Sequence, residues 1–323
     1  MILPRELRAY GSSVMAENDA TANVGGAIDL SVAIEFLDIS VNDQLQVVSS
    51  DSGDTTDILI SGRVSSGLIQ SETVQLLGQT PVVSNELAWE RIMKAQKQGS
   101  TDGVVAVEQV TPVATGTLQE VQLSGERIKL AANSSSVDMF YAGVVFRVTS
   151  GTGAGLIGKV LYYNGSMKEA VLDCNASSLD NTSVYRLSRG IIFRKSPHEI
   201  LTVRRPFYNV IADVPSGSER IFYEKFFWRN NSAETLADAY VEEYLNPTSR
   251  ITFAIESSYG GSTVVANRRT APTGLTFDRL DKSVPTTAML AGQALAVWLK
   301  FVVPAGQSPT KSVYSSRLQG QTS

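Results

Sequence analysis

The amino-acid sequence predicts an all-β protein: two to three small antiparallel β-sandwich-like domains in series, with an extended N-terminal arm. Three observations predict it. Apolar residues recur at period two over many short runs, as half-buried strands require. Clusters of Gly, Pro, Asn, Asp and Ser separate those runs at short intervals. No regular helical segments intervene, which argues against a parallel α/β sheet. The chain has 323 residues, 43% of them apolar and 19% charged. That is enough apolar material for real cores, in roughly two domains or up to three small ones.

Residues 1–30 read as the arm. Tyr10-Gly11-Ser12-Ser13 and Thr21-Ala22-Asn23-Val24-Gly25-Gly26-Ala27 carry small and polar residues without an apolar period. Such a segment becomes ordered only against another surface, its own chain or a partner. Leu3, Arg5, Leu7 and Tyr10 supply the bulky or charged contacts near its start and form the candidate assembly interface.

Residues 31–110 read as the first β domain. Gln44-Leu45-Gln46-Val47-Val48, Asp57-Ile58-Leu59-Ile60-Ser61 and Ser71-Glu72-Thr73-Val74-Gln75-Leu76 alternate. Turn chemistry lies between them at 49–55, 65–67 and 78–81. The 85–97 stretch fits a short helix capped by Asn85 or a strand with Trp89, Arg91 and Met93 on one face; its strand neighbours favour the strand.

Residues 111–205 read as a second domain of the same style. Strands are expected at 117–123, 144–149, 159–163, 169–173 and 184–187. Tyr163-Asn164-Gly165-Ser166 holds an Asn-Gly pair between two β runs, the signature of a two-residue type I′ hairpin. Residues 206–323 read as the third, C-terminal domain. Strands are expected at 220–228, 250–256, 294–303 and 312–318, and two or three helical turns over 234–244.

The formal charge of −4 argues against a duplex-binding domain, since phosphate affinity needs clustered Lys and Arg. The single cysteine, Cys174, has no disulfide partner, and the single histidine, His198, leaves little room for metal sites or triads. No run approaches the length of a membrane span, and residues 1–8 lack the apolar core of a signal peptide.

The motifs that suggest chemistry also fit a plain scaffold. Gly151–Lys159 contains G-x-G-x-x-G and nearly matches a phosphate loop, but strand formers follow where a helix N-terminus is needed, and Val160 stands where Ser or Thr would hold magnesium. It reads as a β connection. The acidic residues of 51–57 are spaced by three, not by two as in a calcium loop, and read as a solvated turn. No G-x-S-x-G elbow accompanies His198, and no Lys or Arg flanks Cys174. The aromatic set Phe222, Tyr223, Phe226, Phe227 and Trp228 reads as core ahead of a sugar-stacking platform. Arg204, Arg205, Arg229, Arg268 and Arg269 read as interface or solvated charge.

Taken in order, several stretches resemble tailed-phage virion proteins. They are 47–82, with its Val47-Val48-Ser49-Ser50, Ile60-Ser61-Gly62 and Ser71-Glu72-Thr73-Val74 runs; 146–173, where a Gly-rich turn leads into a hairpin; Tyr223–Asn231; and Leu295–Gly306. The resemblance implies a non-enzymatic structural component that bridges or decorates neighbouring subunits, as capsid decoration or cement, or as a neck- or tail-attached fibre-like protein. It implies localisation in the virion after assembly in the host cytoplasm, and partners among other virion proteins: capsid, portal or neck, and tail components. A homo-oligomer is expected, with no direct nucleic-acid contact, no membrane and no cofactor. No catalytic or metal residues carry over. The alternative is a tail-associated module binding host-surface glycan through Trp228 and Trp298. A polysaccharide depolymerase, which needs a pair of carboxylates in one cleft, ranks last.

Overall fold

A computed structural model describes residues 2, 4–17, 22–34, 39, 42–121, 125–208, 217–306 and 314–322. Among these, regular structure is strand, apart from a 3-10 turn at Pro4–Glu6. Within each unit below the paired strands run antiparallel, so the all-β class holds. The chain divides into two compact units, one of residues 1–34 with 205–323, the other of residues 35–204. The second unit is an insertion within the first, in place of three domains in series.

In the first unit, strands Ile251–Ile255, Ala294–Val303, Arg220–Asn230, Leu7–Val14 and Val24–Ala33 lie side by side in that order. The segment expected as an arm is thus inner sheet. Leu7–Val14 pairs with Arg220–Asn230 on one flank and Val24–Ala33 on the other. A small sheet built on Leu236–Leu245, with Ser315–Thr322 along one side, covers one face. Leu295, Val297, Leu299 and Phe226 meet Leu236, Val241, Met289 and Leu318 there. The opposite face is filled too: Trp298 and Tyr223 pack with Val24 and Val265. A strand buried on both faces reads as a continuous apolar run, and Ala294-Leu295-Ala296-Val297-Trp298-Leu299 is buried throughout.

The helical turns expected over 234–244 are strand. Ala, Leu and Glu favour helix locally, but pairing on both sides prevails. A register shift between Ala237 and Tyr240, with Asp238 at φ 46, bulges the strand and re-aims Ala239 and Val241 inward.

In the second unit, seven strands follow the order Glu120–Val121, Arg127–Lys129, Glu169–Leu172, Ile157–Asn164, Val145–Ser150, Val184–Ser188, Ala114–Thr117. The first and last are pieces of one short segment, so the sheet curls back on itself and closes its own ends. Phe146, Tyr163, Tyr185 and Leu187 fill the interior. A second sheet sets Gly190–Phe193, Val105–Gln109, Leu45–Ser49 and Val82–Val83 side by side. Val48, Ala106 and Ile192 of this sheet pack on Val145 and Ile157 of the curled one, which erases the boundary expected at residue 110. A third row runs Thr202–Arg204, Trp89–Lys97, Asp57–Val64, Ile69–Gln75, and the ambiguous 85–97 stretch supplies its Trp89–Lys97 strand.

The Asn164-Gly165 hairpin forms, but its turn has four residues: Asn164 pairs with Glu169, and Lys168, not Gly165, takes positive φ. Gly165 is needed for space, because a Cβ there would run into the Ser136 carbonyl.

Candidate functional site

Leu3 of the expected interface lies outside the described residues. Arg5 and Leu7 are half-buried, and Leu7 packs on the core between the first unit's two sheets. Tyr10 is 1% exposed, and its hydroxyl accepts a hydrogen bond from Asn231 Nδ2 at 3.1 Å. Tyr10 and Leu7 are therefore part of the fold of their own unit.

The other motifs resolve into scaffold. Gly151–Leu156 is the turn between the antiparallel Val145–Ser150 and Ile157–Asn164 strands. Gly151, at φ +80, crosses so close to Thr182 that a Cβ would strike its carbonyl. Lys159 is buried within the following strand, and its N–H donates to Asp173 Oδ1 at 2.6 Å. The 51–57 turn is not simply solvated. Asp54 is 7% exposed and accepts from Ser49 Oγ at 2.5 Å, Asp102 N at 2.8 Å and Gly103 N at 3.0 Å. Beside it, Glu199 accepts from Lys97 Nζ at 2.8 Å and Thr101 N at 3.0 Å.

Arg268 was expected as interface or solvated charge, yet it is fully buried. Its two terminal nitrogens donate to Tyr208 O at 2.9 Å, and its guanidinium lies 5.1 Å from the Phe222 ring centre. Arg204 is buried as well. Such side chains pin distant segments, because hydrogen bonds offset the cost of burying a charge.

Two more buried ionic knots are held by hydrogen bonds. Glu108 Oε1 accepts from Gln46 Nε2 at 2.7 Å and Arg147 Nη2 at 2.9 Å. Lys225 Nζ sits 2.7 Å from Glu256 Oε1 and donates to Gly261 O at 2.9 Å. Trp298 Nε1 donates to the same Glu256 oxygen at 2.8 Å. Burial outweighs Glu256 and lowers the Lys225 pKa. Lys225 is enclosed under the Phe227 and Trp298 rings, so it is structural rather than a reactive amine. Phe222, Tyr223, Phe226 and Phe227 are buried, which makes the aromatic strand core. An open cleft of about 480 Å³ in the first unit is lined by Glu219, Arg220, Ile221, Asn267, Arg269 and Thr270. Glu219 is its one carboxylate among the described residues.

One feature of the second unit faces solvent with unused bonding capacity. Asp57–Val64 and Ile69–Gln75 pair without a register shift across their whole length. Val64 N donates to Leu68 O, and Leu76 N to Thr56 O, both at 3.0 Å. Antiparallel ladders alternate hydrogen-bonded and non-bonded pairs, so these two bonds fix the phase. The even residues of 68–76 turn their backbone groups toward Asp57–Val64. Ile69, Ser71, Thr73 and Gln75 turn theirs outward, and all four are exposed. The strand ends the row.

Its surroundings are apolar: Leu68 is 69% exposed, Leu77 60% and Leu87 69%. Natural edges are guarded by Lys, Pro, a bulge or inward-pointing charge. Residues 69–75 carry no Lys, Pro or bulge. Their one charge, Glu72, is occupied by Asn85 N at 2.5 Å and Glu86 N at 3.0 Å. The Ile251–Ile255 edge, by contrast, is covered: Phe253 exchanges hydrogen bonds with Asp278.

The alternation of 71–76 predicts a half-buried strand. The missed signal is polarity on both faces. Gln70 and Glu72 fall on the face of Val74, and Ser71 and Thr73 on the other, so Val74 is the one buried residue of the strand.

No family model, no curated protein and no solved structure matches the chain.

Proposed function

We propose that this chain is a non-enzymatic structural component of a tailed-phage particle, joining or decorating neighbouring virion subunits from the head, neck or tail. The resemblance of 47–82, 146–173, Tyr223–Asn231 and Leu295–Gly306 to virion proteins supports the class. The observation that carries the mechanism is the open Ile69–Gln75 edge, whose outward amides and carbonyls sit among exposed leucines. An added strand gains backbone hydrogen bonds without a deep pocket, which is how a β unit joins a neighbour. The buried ionic knots suit a part that must hold its shape under load, since they tie separate strands together by hydrogen bonds.

The test is particle fractionation. Particles carrying an epitope-tagged copy are purified through a density gradient and imaged. The tag is expected to co-sediment with intact particles and to label one fixed location. A chain recovered only from the soluble fraction of infected cells overturns the reading.

A further inference from the structure

The geometry points to a second copy of this chain as the occupant of the Ile69–Gln75 edge, the two strands pairing antiparallel about a two-fold axis at Ser71. The inference rests on the assembly role above and names its first partner. Isologous contacts require one surface to complement itself, and the phase of this edge limits how that happens. The outward groups belong to Ile69, Ser71, Thr73 and Gln75, so hydrogen-bonded pairs between copies must match odd residues with odd ones. Only registers centred on a single residue satisfy this.

Centring on Glu72 sets the two Glu72 carboxylates face to face in a close non-bonded pair, and like charges there are destabilising. Centring on Gln70 puts Leu68 opposite Glu72, and centring on Thr73 puts Val74 opposite Glu72. Centring on Ser71 matches every pair. Ile69 meets Thr73 of the second copy, two β-branched side chains. Gln70 meets Glu72, an amide donor beside a carboxylate. Leu68, 69% exposed, meets Val74. Each match occurs twice by symmetry, and each hydrogen-bonded pair exchanges two backbone bonds.

Sedimentation equilibrium of the full chain across a dilution series tests the pairing. The wild type is expected as a concentration-dependent dimer. Thr73→Pro removes an N–H that points away from Asp57–Val64 and breaks no bond of the fold. It is expected to raise the dimer dissociation constant about tenfold or more, with an unchanged far-UV spectrum. A second arm fixes the register in a Cys174→Ser background under mild oxidation. Ser71→Cys is expected to cross-link two chains, because hydrogen-bonded pairs hold Cα atoms at about 5.5 Å, within disulfide reach. A monomeric wild type at all concentrations, a Thr73→Pro chain that dimerises as tightly as wild type, or efficient cross-linking by Glu72→Cys in place of Ser71→Cys overturns the inference. The particle experiment is independent: a monomer that still loads onto particles sinks the self-pairing and leaves the structural role.

Discussion

Asp54 and Glu199 hold the 98–104 loop from two sides, and their charge makes the loop sensitive to acid. Burial alone pushes both carboxyls up. For Asp54 the Ser49 hydroxyl, the Asp102 and Gly103 amides and the Lys97 charge outweigh it. For Glu199 Lys97 and the Thr101 amide do the same. Both end below the ordinary carboxylate range. Folded values depressed in this way add stability that is present above the unfolded value and lost as pH falls through the folded one. Urea midpoints are therefore expected to hold steady near neutrality and to fall below about pH 4. Asp54→Asn is expected to cost about 2 kcal/mol at pH 7 and to flatten that fall. An acid limb as steep in the variant as in wild type counts against the assignment. None of this was legible in the 51–57 spacing, because Asp102 and Gly103 lie far along the chain and only the fold brings them to Asp54. The same holds for Arg268, whose neighbour Arg269 is exposed; no local pattern separates the two.

At the scale of elements, strands were legible wherever one face is apolar and the other polar, as in Asp57–Val64. They were illegible where tertiary pairing overrides local preference. Leu7–Val14 contains Tyr10-Gly11-Ser12-Ser13, which has no period. Its partners on both flanks satisfy its backbone, and Gly11 makes room for Val32 and Met15. Removing residues 1–14 is thus expected to unfold the first unit rather than free it of an arm. Trp228 and Trp298 emission should shift to the red, with loss of the near-UV circular dichroism of the aromatic strand. Native-like spectra in the truncated chain would return the segment to the status of an accessory.

For the whole molecule, the all-β class was readable from periodicity, but the partition was not. Val105–Gln109 joins Leu45–Ser49 on one flank and Gly190–Phe193 on the other, a union of residues that no linker composition marks. The 35–204 unit is continuous in sequence and holds its own cores. Expressed alone, it is expected to unfold in one cooperative step, with the blue-shifted emission of Trp89, which is fully buried. Red-shifted emission at neutral pH, or a gradual melt, would mean that this segment needs the flanking unit to fold.

The insertion also sets an order of events on the ribosome. Residues 1–34 emerge first, yet Arg220–Asn230, which closes the far flank of Leu7–Val14, follows about 190 residues later. At 5–20 residues per second that gap lasts roughly 10–40 s. Throughout it the nascent chain carries an unfinished sheet while the inserted segment is still being made, so chaperone demand falls on the first thirty-four residues.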